Sequence, residues 1–199
     1  MREKLVKNID GLIIEIPTTV YDPAEDSFLL AENVDIKLHE KVLEVGSGSG
    51  YVSIYLAKKN PTAEFFSIDI DYIATKTTKN NSKNNSIKIN TITGDLFDSL
   101  IEKPFFDVVL FNSPYLPVIA NAKESIAWAG GQDGLEIVER FINHLGFLLK
   151  KTGRSYLVVS TKTNNKKIFA LFEQNRLSYD LIDQVKEGQE RILLYKITF

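Results

Sequence analysis

The chain has no cysteine. That excludes a disulfide framework, a thiolate metal site and a cysteine nucleophile. Histidine is nearly as scarce. Only His39 and His144 occur, far apart in sequence, so no histidine-based metal site is expected and both rings are read as structural or exposed. No apolar run approaches the roughly 18–20 residues that span a bilayer. The opening residues, Met1-Arg2-Glu3-Lys4, lack the apolar stretch of a secretory signal. Neither sign of charge dominates: 24 basic residues face 26 acidic ones, a net charge of −2. Composition therefore carries no chain-wide basic imprint of a nucleic-acid binder, although a local basic patch stays open. There is no internal repeat and no linker-like stretch, and the one biased segment is the Asn/Lys run around residues 80–85. These absences leave a soluble, cytoplasmic protein without a membrane partner as the expectation, folded as a single domain over residues 1–199.

What remains is a chain of 199 residues, 44% hydrophobic, long enough to bury a sizeable core. Its organising stretch is Phe106-Asp107-Val108-Val109-Leu110-Phe111-Asn112-Ser113-Pro114-Tyr115. Val108 to Phe111 reads as a strand buried on both faces, as in the middle of a parallel sheet. Asn112 to Tyr115 then places an amide, a fixed kink and an aromatic ring past the strand's carboxyl end, where open α/β sheets bind ligands. Pro114 holds Ser113 extended and removes a backbone donor. An amide and free carbonyls are uncharged acceptors, suited to a planar nitrogen that carries hydrogens. An ordinary turn accounts for the same residues equally well.

The other elements fall around this strand. Residues 11–21 alternate as a short strand or hairpin. Tyr21-Asp22-Pro23-Ala24-Glu25-Asp26-Ser27-Phe28-Leu29-Leu30 opens a helix, with Pro23 near its start and two acids in its first turn. Capping explains the acids but not the crowding of Tyr21, Pro23, Glu25, Asp26 and Ser27 at one end. Lys41–Val45 is a buried strand that runs into Gly46-Ser47-Gly48-Ser49-Gly50 and a helix from Tyr51 to Lys58. Glycines in that context let the backbone turn tightly and approach a ligand. Their spacing departs from the dinucleotide fingerprint, and Glu44 at the strand end repels phosphate but accepts a cationic group. Glu64–Asp69 is the second parallel strand. Asp69 at its tip is placed to hold a ribose diol, or merely to cap the next helix. Residues 71–88 read as an exposed helix and polar loop, a solvated face more readily than an RNA contact. Ile87 to Thr93 is a third strand, and Asp95, Leu96 and Phe97 after it suit an exocyclic amine and a flat ring, or a turn. A glycine-rich loop, Trp128 to Gly134, precedes a helix from Leu135 to Leu149 that Lys150-Lys151-Thr152-Gly153 ends. Ser155–Ser160 is a strand and Lys166–Gln174 a helix. Tyr179–Val185 and Ile192–Phe199, joined by about six residues around Gly188, must be antiparallel, because so short a link cannot cross over.

Taken together, these motifs resemble a class I S-adenosylmethionine-dependent methyltransferase over essentially the whole chain. The resemblance implies a Rossmann-like, seven-stranded α/β fold, mostly parallel, with an antiparallel C-terminal strand and helices on both faces. Residues 1–35 would be a strand/helix segment covering the cofactor site. Asn112-Ser113-Pro114-Tyr115 resembles the Asn-Pro-Pro-Tyr motif of enzymes that methylate amide or amino nitrogens. The segments Tyr21–Leu30 and Trp128-Ala129-Gly130-Gly131 resemble the archaeal and eukaryotic branch of the HemK family. That family implies glutamine N5-methylation in the Gly-Gly-Gln motif of peptide chain release factors.

By position, the resemblance assigns Glu44, Gly46, Gly48 and Gly50 to the methionine part of S-adenosylmethionine and Ser27 to its carboxylate. It assigns Asp69 to the ribose and Asp95, with Leu96, to the adenine. Asn112, at the substrate side of the cofactor, and Ser113 would accept hydrogen bonds from the substrate amide, with Pro114 shaping the turn and Tyr115 lying on the amide plane. Ser113 departs from the family's proline. The resemblance also implies a small zinc-binding activator subunit. An adenine-N6 DNA or RNA methyltransferase, or a cofactor-binding subunit without activity of its own, are the alternatives. Against the first, the catalytic fold takes up nearly the whole chain, leaving no target-recognition domain, and the net charge is slightly acidic.

Overall fold

The computed structural model describes residues 4–100, 103–114 and 135–199. Tyr115 and the loop Trp128 to Gly134 singled out above lie outside the described residues. The chain divides into two compact units, Met1–Leu100 and Ile101–Phe199.

The first unit opens with a hairpin, β1 (Lys4–Ile9) and β2 (Leu12–Pro17), antiparallel across Asp10-Gly11. Both turn residues have positive φ, 53° and 71°. That is the mirror-image turn whose twist matches a two-residue hairpin, and Asp-Gly adopts it readily. The strand expected from residue 11 onward is thus half of a hairpin that begins earlier. The sequence KLVKNI of β1 shows no apolar alternation because the strand is largely exposed. After α1 (Glu25–Asn33) come β3 (Lys41–Val45), α2 (Tyr51–Lys59), β4 (Glu64–Asp69), α3 (Tyr72–Asn84) and β5 (Ile89–Thr93). β3, β4 and β5 pair in parallel, with the helices as crossovers. Val42, Leu43, Val45, Phe65 and Ile68 form the sheet's buried side chains.

The second unit contains β6 (Phe106–Asn112), α4 (Glu136–Leu148), β7 (Leu149–Ser160), α5 (Asn165–Gln174), β8 (Ser178–Glu187) and β9 (Glu190–Thr198). Val108 to Phe111 are almost solvent-free, as a continuous apolar run in a central strand demands. α4 buries Val138, Phe141, Ile142 and Leu145 along one face. Lys150-Lys151-Thr152-Gly153 does not end that helix. β7 begins at Leu149, and the register against β6 jumps from Phe106↔Leu149 to Val108↔Arg154, so these residues form an irregularity in the strand. Lys150 Nζ bonds the Asp107 carboxylate there, at 2.8 and 2.9 Å. A Cβ on Gly153 would lie 2.8 Å from Asp107 O, so this glycine answers a close approach between strands and not a helix cap. The terminal hairpin is tighter than expected: Glu187 pairs with Glu190, leaving Gly188 and Gln189 as the loop, with Gly188 at φ 58°.

The seven-stranded sheet runs in the order β5-β4-β3-β6-β7-β9-β8, mostly parallel, with helices around it. β9 is antiparallel to β7 and to β8, which is the reversed last strand the short hairpin link demanded. Among the described residues no helix is long and apolar enough to cross a membrane.

Candidate active site

In the first unit the glycine turn joins β3 to α2. Gly46, Gly48 and Gly50 all have positive φ, at 68°, 54° and 81°. A side chain is strained at each. At Gly50 an added Cβ would also lie 2.7 Å from Thr78 Cγ2 and 3.0 Å from its Cα, so α3 presses directly on the turn. Among the described residues, the Cβ added at Gly48 would meet only Tyr21 Cβ, at 3.8 Å, which leaves that side of the turn as a shallow cradle.

Polar groups on two elements, β4 and α3, fix the turn. Gly46 and Ser47 donate their N–H groups to Ile68 O at 2.8 and 3.3 Å. Gly48 donates to Asp69 Oδ2 at 2.8 Å, while Asp69 Oδ1 accepts the Asp71 N–H at 2.9 Å. Asp69 therefore shapes the turn and does not cap α3; that cap is Asp71, which accepts from the Ile73 N–H at 2.8 Å. From α3, Thr78 Oγ1 donates to Gly48 O at 3.1 Å and Asn81 Nδ2 donates to Ser49 O at 2.9 Å. Ser47 Oγ lies 3.1 Å from Thr78 Oγ1.

Glu44 is buried under the turn, where Oε2 accepts the Ser53 N–H at 3.1 Å and the Ser53 hydroxyl. Burial pushes its carboxyl up from the usual 4.5 to about 8, against the lowering effect of those two bonds. Asp69 is raised as well, by burial first, with the Gly48 and Asp71 bonds opposing and the nearby Asp71 charge adding. Both carboxyls thus sit where an arriving cation or hydroxyl group would favour the ionised form.

At the start of α1, the Asp26 carboxylate accepts from Tyr21 OH at 2.8 Å and, through Oδ1, from the Ser27 N–H and hydroxyl at 2.6 and 3.2 Å. The crowding noted in the sequence is thus a knot of hydrogen bonds around Asp26, with Ser27 buried inside it. Asp95 and Leu96 follow β5 in a turn closed by Asp98 N–H to Asp95 O at 3.0 Å. Leu96 is buried at φ 47°, a left-handed conformation uncommon for a bulky residue.

In the second unit Asn112 ends β6 opposite Val158 of β7. Ser113 is buried, and its hydroxyl donates to Val158 O at 2.6 Å. Where a proline would hold the backbone by its ring, this serine holds it by a bond to the neighbouring strand. The structure brings Glu44, Gly46, Gly48, Gly50 and Asp69 together at one turn. It places Asn112, Ser113 and Pro114 at the end of β6. Ser53, Thr78 and Asn81 had not been singled out. For Thr78 and Asn81 the signal was a stripe of small and polar residues, Ala74, Thr75, Thr78, Asn81 and Ser82, buried along a helix whose lysines are exposed.

The strand order and the glycine turn after β3 define a class I methyltransferase fold. The solved Mtq2 chain of the E. cuniculi Mtq2–Trm112 complex, described as methylating the eRF1 translation termination factor, superposes with a TM-score of 0.72 at 23% identity, covering 91% of this chain and 99% of that one. The family model of the methyltransferase small domain matches residues 21–180. A putative protein N5-glutamine methyltransferase of Methanocaldococcus jannaschii is 41% identical over 167 residues, 81% of this chain and 83% of that protein. Human methyltransferase HEMK2 is 32% identical over 191 residues, covering 90% and 89%. The chain belongs to the methyltransferase small domain family and, within it, to the archaeal and eukaryotic HemK branch of these relatives.

Proposed function

We propose that this chain is an S-adenosylmethionine-dependent protein glutamine-N5 methyltransferase, acting on the Gly-Gly-Gln motif of a peptide chain release factor, with residues 1–199 working as one domain. The observation that carries the site is the end of β6, where Asn112 lies beside a backbone anchored by Ser113 to Val158. The relatives named for glutamine methylation support the substrate.

The residues present fit the cofactor. The open side of Gly48 facing Tyr21 gives room for a ligand against the backbone. Glu44 is a buried carboxyl suited to an ammonium group, and each Asp69 oxygen carries one bond, leaving lone pairs for a diol. Asp95 and Leu96 would take the adenine and Ser27 the carboxylate end. When bound, the sulfonium supplies an activated methyl group.

The chain's own part is positioning. An amide nitrogen is a poor nucleophile because its lone pair is delocalised. Asn112 Oδ1 and the Ser113 carbonyl would accept its two hydrogens, hold the NH2 plane toward the methyl and disperse the positive charge that develops. Tyr115 would lie on the amide plane. No strong base is required.

The Mtq2 neighbour is solved as a complex with Trm112. A small activator subunit, zinc-binding in this reading, would likewise accompany this chain, and co-expression would raise its solubility and activity. The deciding experiment is mass spectrometry of a release factor incubated with the chain and S-adenosylmethionine, with a DNA oligonucleotide in parallel. A gain of one methyl on the Gly-Gly-Gln glutamine supports the proposal. Methylated adenine with an unmodified release factor would replace it with the adenine-N6 reading.

A further inference from the structure

The hairpin β1–β2 pairs along one edge only, so the other edge of β2 presents backbone groups that need partners. α3 supplies them with two asparagines. Asn85 Oδ1 accepts the Ile13 N–H at 2.9 Å, and its Nδ2 donates to Ile13 O at 2.9 Å. Asn81 repeats the pattern on Glu15, accepting its N–H at 3.0 Å and donating to its carbonyl at 2.9 Å. A primary amide offers the same donor and acceptor that a neighbouring strand would. The spacing also matches: two residues of strand advance about 6.6 Å, and four residues of helix about 6 Å.

The two asparagines differ in their remaining hydrogen. Asn85 spends it within its own helix, on Asn81 O at 2.8 Å. Asn81 spends it on Ser49 O, in the middle of the glycine turn, at 2.9 Å. Asn81 is fully buried, so no water competes for these bonds. One amide therefore serves Glu15 of the hairpin and Ser49 of the turn at once, and neither segment can shift without disturbing it.

We infer that Asn81 is a positioning residue that couples docking of the N-terminal hairpin to the shape of the glycine turn, so that order in one favours ligand binding at the other. The inference rests on the reading that S-adenosylmethionine binds at this turn. Asn85 makes the same grip on β2 without touching the turn, and so isolates the hairpin's share of the coupling.

The test is calorimetric titration of S-adenosylmethionine into the full chain, Asn81→Asp and Asn85→Asp. Asn81→Asp keeps the size but turns both N–H donors into an acceptor facing two carbonyls. Its Kd is expected to rise about tenfold or more, and Asn85→Asp, which loosens the hairpin without touching the turn, is expected to raise it by a smaller factor of about three to five. An unchanged Kd in Asn81→Asp or in Asn85→Asp overturns the coupling while the wild-type chain still binds. A wild-type chain that binds no S-adenosylmethionine overturns the underlying reading and the inference together. Should Asn81→Asp not fold, residue-resolved amide exchange of the wild-type chain decides. Exchange at the Glu15 N–H is expected to slow about tenfold on cofactor binding, and at Ile13 less. No slowing at Glu15 overturns the inference.

Discussion

The glycine turn and the end of β6 are held in different ways. At the turn, Gly46, Ser47, Gly48, Ser49 and Gly50 all contribute backbone groups to hydrogen bonds, with partners on β4, on α3 and within the turn itself. The end of β6 is held by the Ser113 hydroxyl on Val158 O and by the ring of Pro114. The turn must keep one shape against a ligand, and redundancy secures it. In the proposed mechanism the end of β6 offers acceptors to a substrate amide, so its support comes from the neighbouring strand. Damage should therefore separate: changes at β6 should strike the chemical step, and changes at the turn should strike binding and stability.

The largest expected effect is at Asn112. Asn112→Ala should lower methyl transfer by about 100- to 1,000-fold, the scale for losing one aligned hydrogen-bonding group. Cofactor affinity measured by calorimetry should hardly move. A parallel loss of affinity would erase the distinction between the two regions. Gly50→Ala should do the reverse. Its φ of 81° and the 2.7 Å approach to Thr78 set strain on top of overlap. Together they should cost about 2–4 kcal/mol and weaken the cofactor. Gly188→Ala is the matched control, with φ 58° and, among the described residues, nothing within 4 Å of the added Cβ. It should cost only about 1 kcal/mol, a fall in Tm of about 2–4 °C.

The same contrast explains what the sequence reveals. Strands β3, β4 and β6 were legible because burial on both faces leaves few polar residues in them, and Glu44 and Asp69 stood out as buried acids for that reason. The terminal hairpin was legible from link length alone. What stayed hidden is what polar residues do to backbone. Thr78, Asn81 and Asn85 look like any solvated Asn/Lys run, since a threonine or asparagine that binds a carbonyl is spelled like one that binds water. β1 was hidden by exposure, and only Asp10-Gly11 marks it. Gly153 read as a helix stop, because a glycine needed for close contact is indistinguishable in sequence from one needed for positive φ.

Glu44 offers a middle-sized test on the turn side. Its folded carboxyl is raised from 4.5 to about 8, so between those values the folded protein holds a proton that the unfolded chain has lost. Its stabilising contribution is complete below 4.5 and is lost as pH rises through about 8. Thermal melts of the cofactor-free chain should fall over that window, and Glu44→Gln should flatten the dependence. An ammonium bound beside Glu44 would favour the ionised form and expel the proton. Affinity should then rise with pH, by at most about tenfold per unit, until it levels near the folded value. Calorimetry in buffers of different ionisation enthalpy reads that proton directly. Binding without proton release would remove Glu44 from the ammonium's surroundings.

The smallest expected effect tests why a serine can stand in the proline position. If the hydroxyl bond to Val158 O does the work of a ring, Ser113→Ala should free the backbone at the acceptor carbonyl. The loss of one neutral hydrogen bond, about 0.5–1.5 kcal/mol, corresponds to a fall in kcat of roughly two- to tenfold. Cofactor affinity should be unchanged, since the turn has its own supports. Ser113→Pro removes the same hydroxyl but fixes φ near −65°, and proline before Pro114 suits the extended backbone. Recovery of kcat in Ser113→Pro but not in Ser113→Ala would mean that rigidity is what the hydroxyl supplies. If both variants are equally slow, the hydroxyl acts by setting where Val158 and Asn112 stand in the ladder, and the end of β6 depends on its neighbouring strand more than on its own backbone.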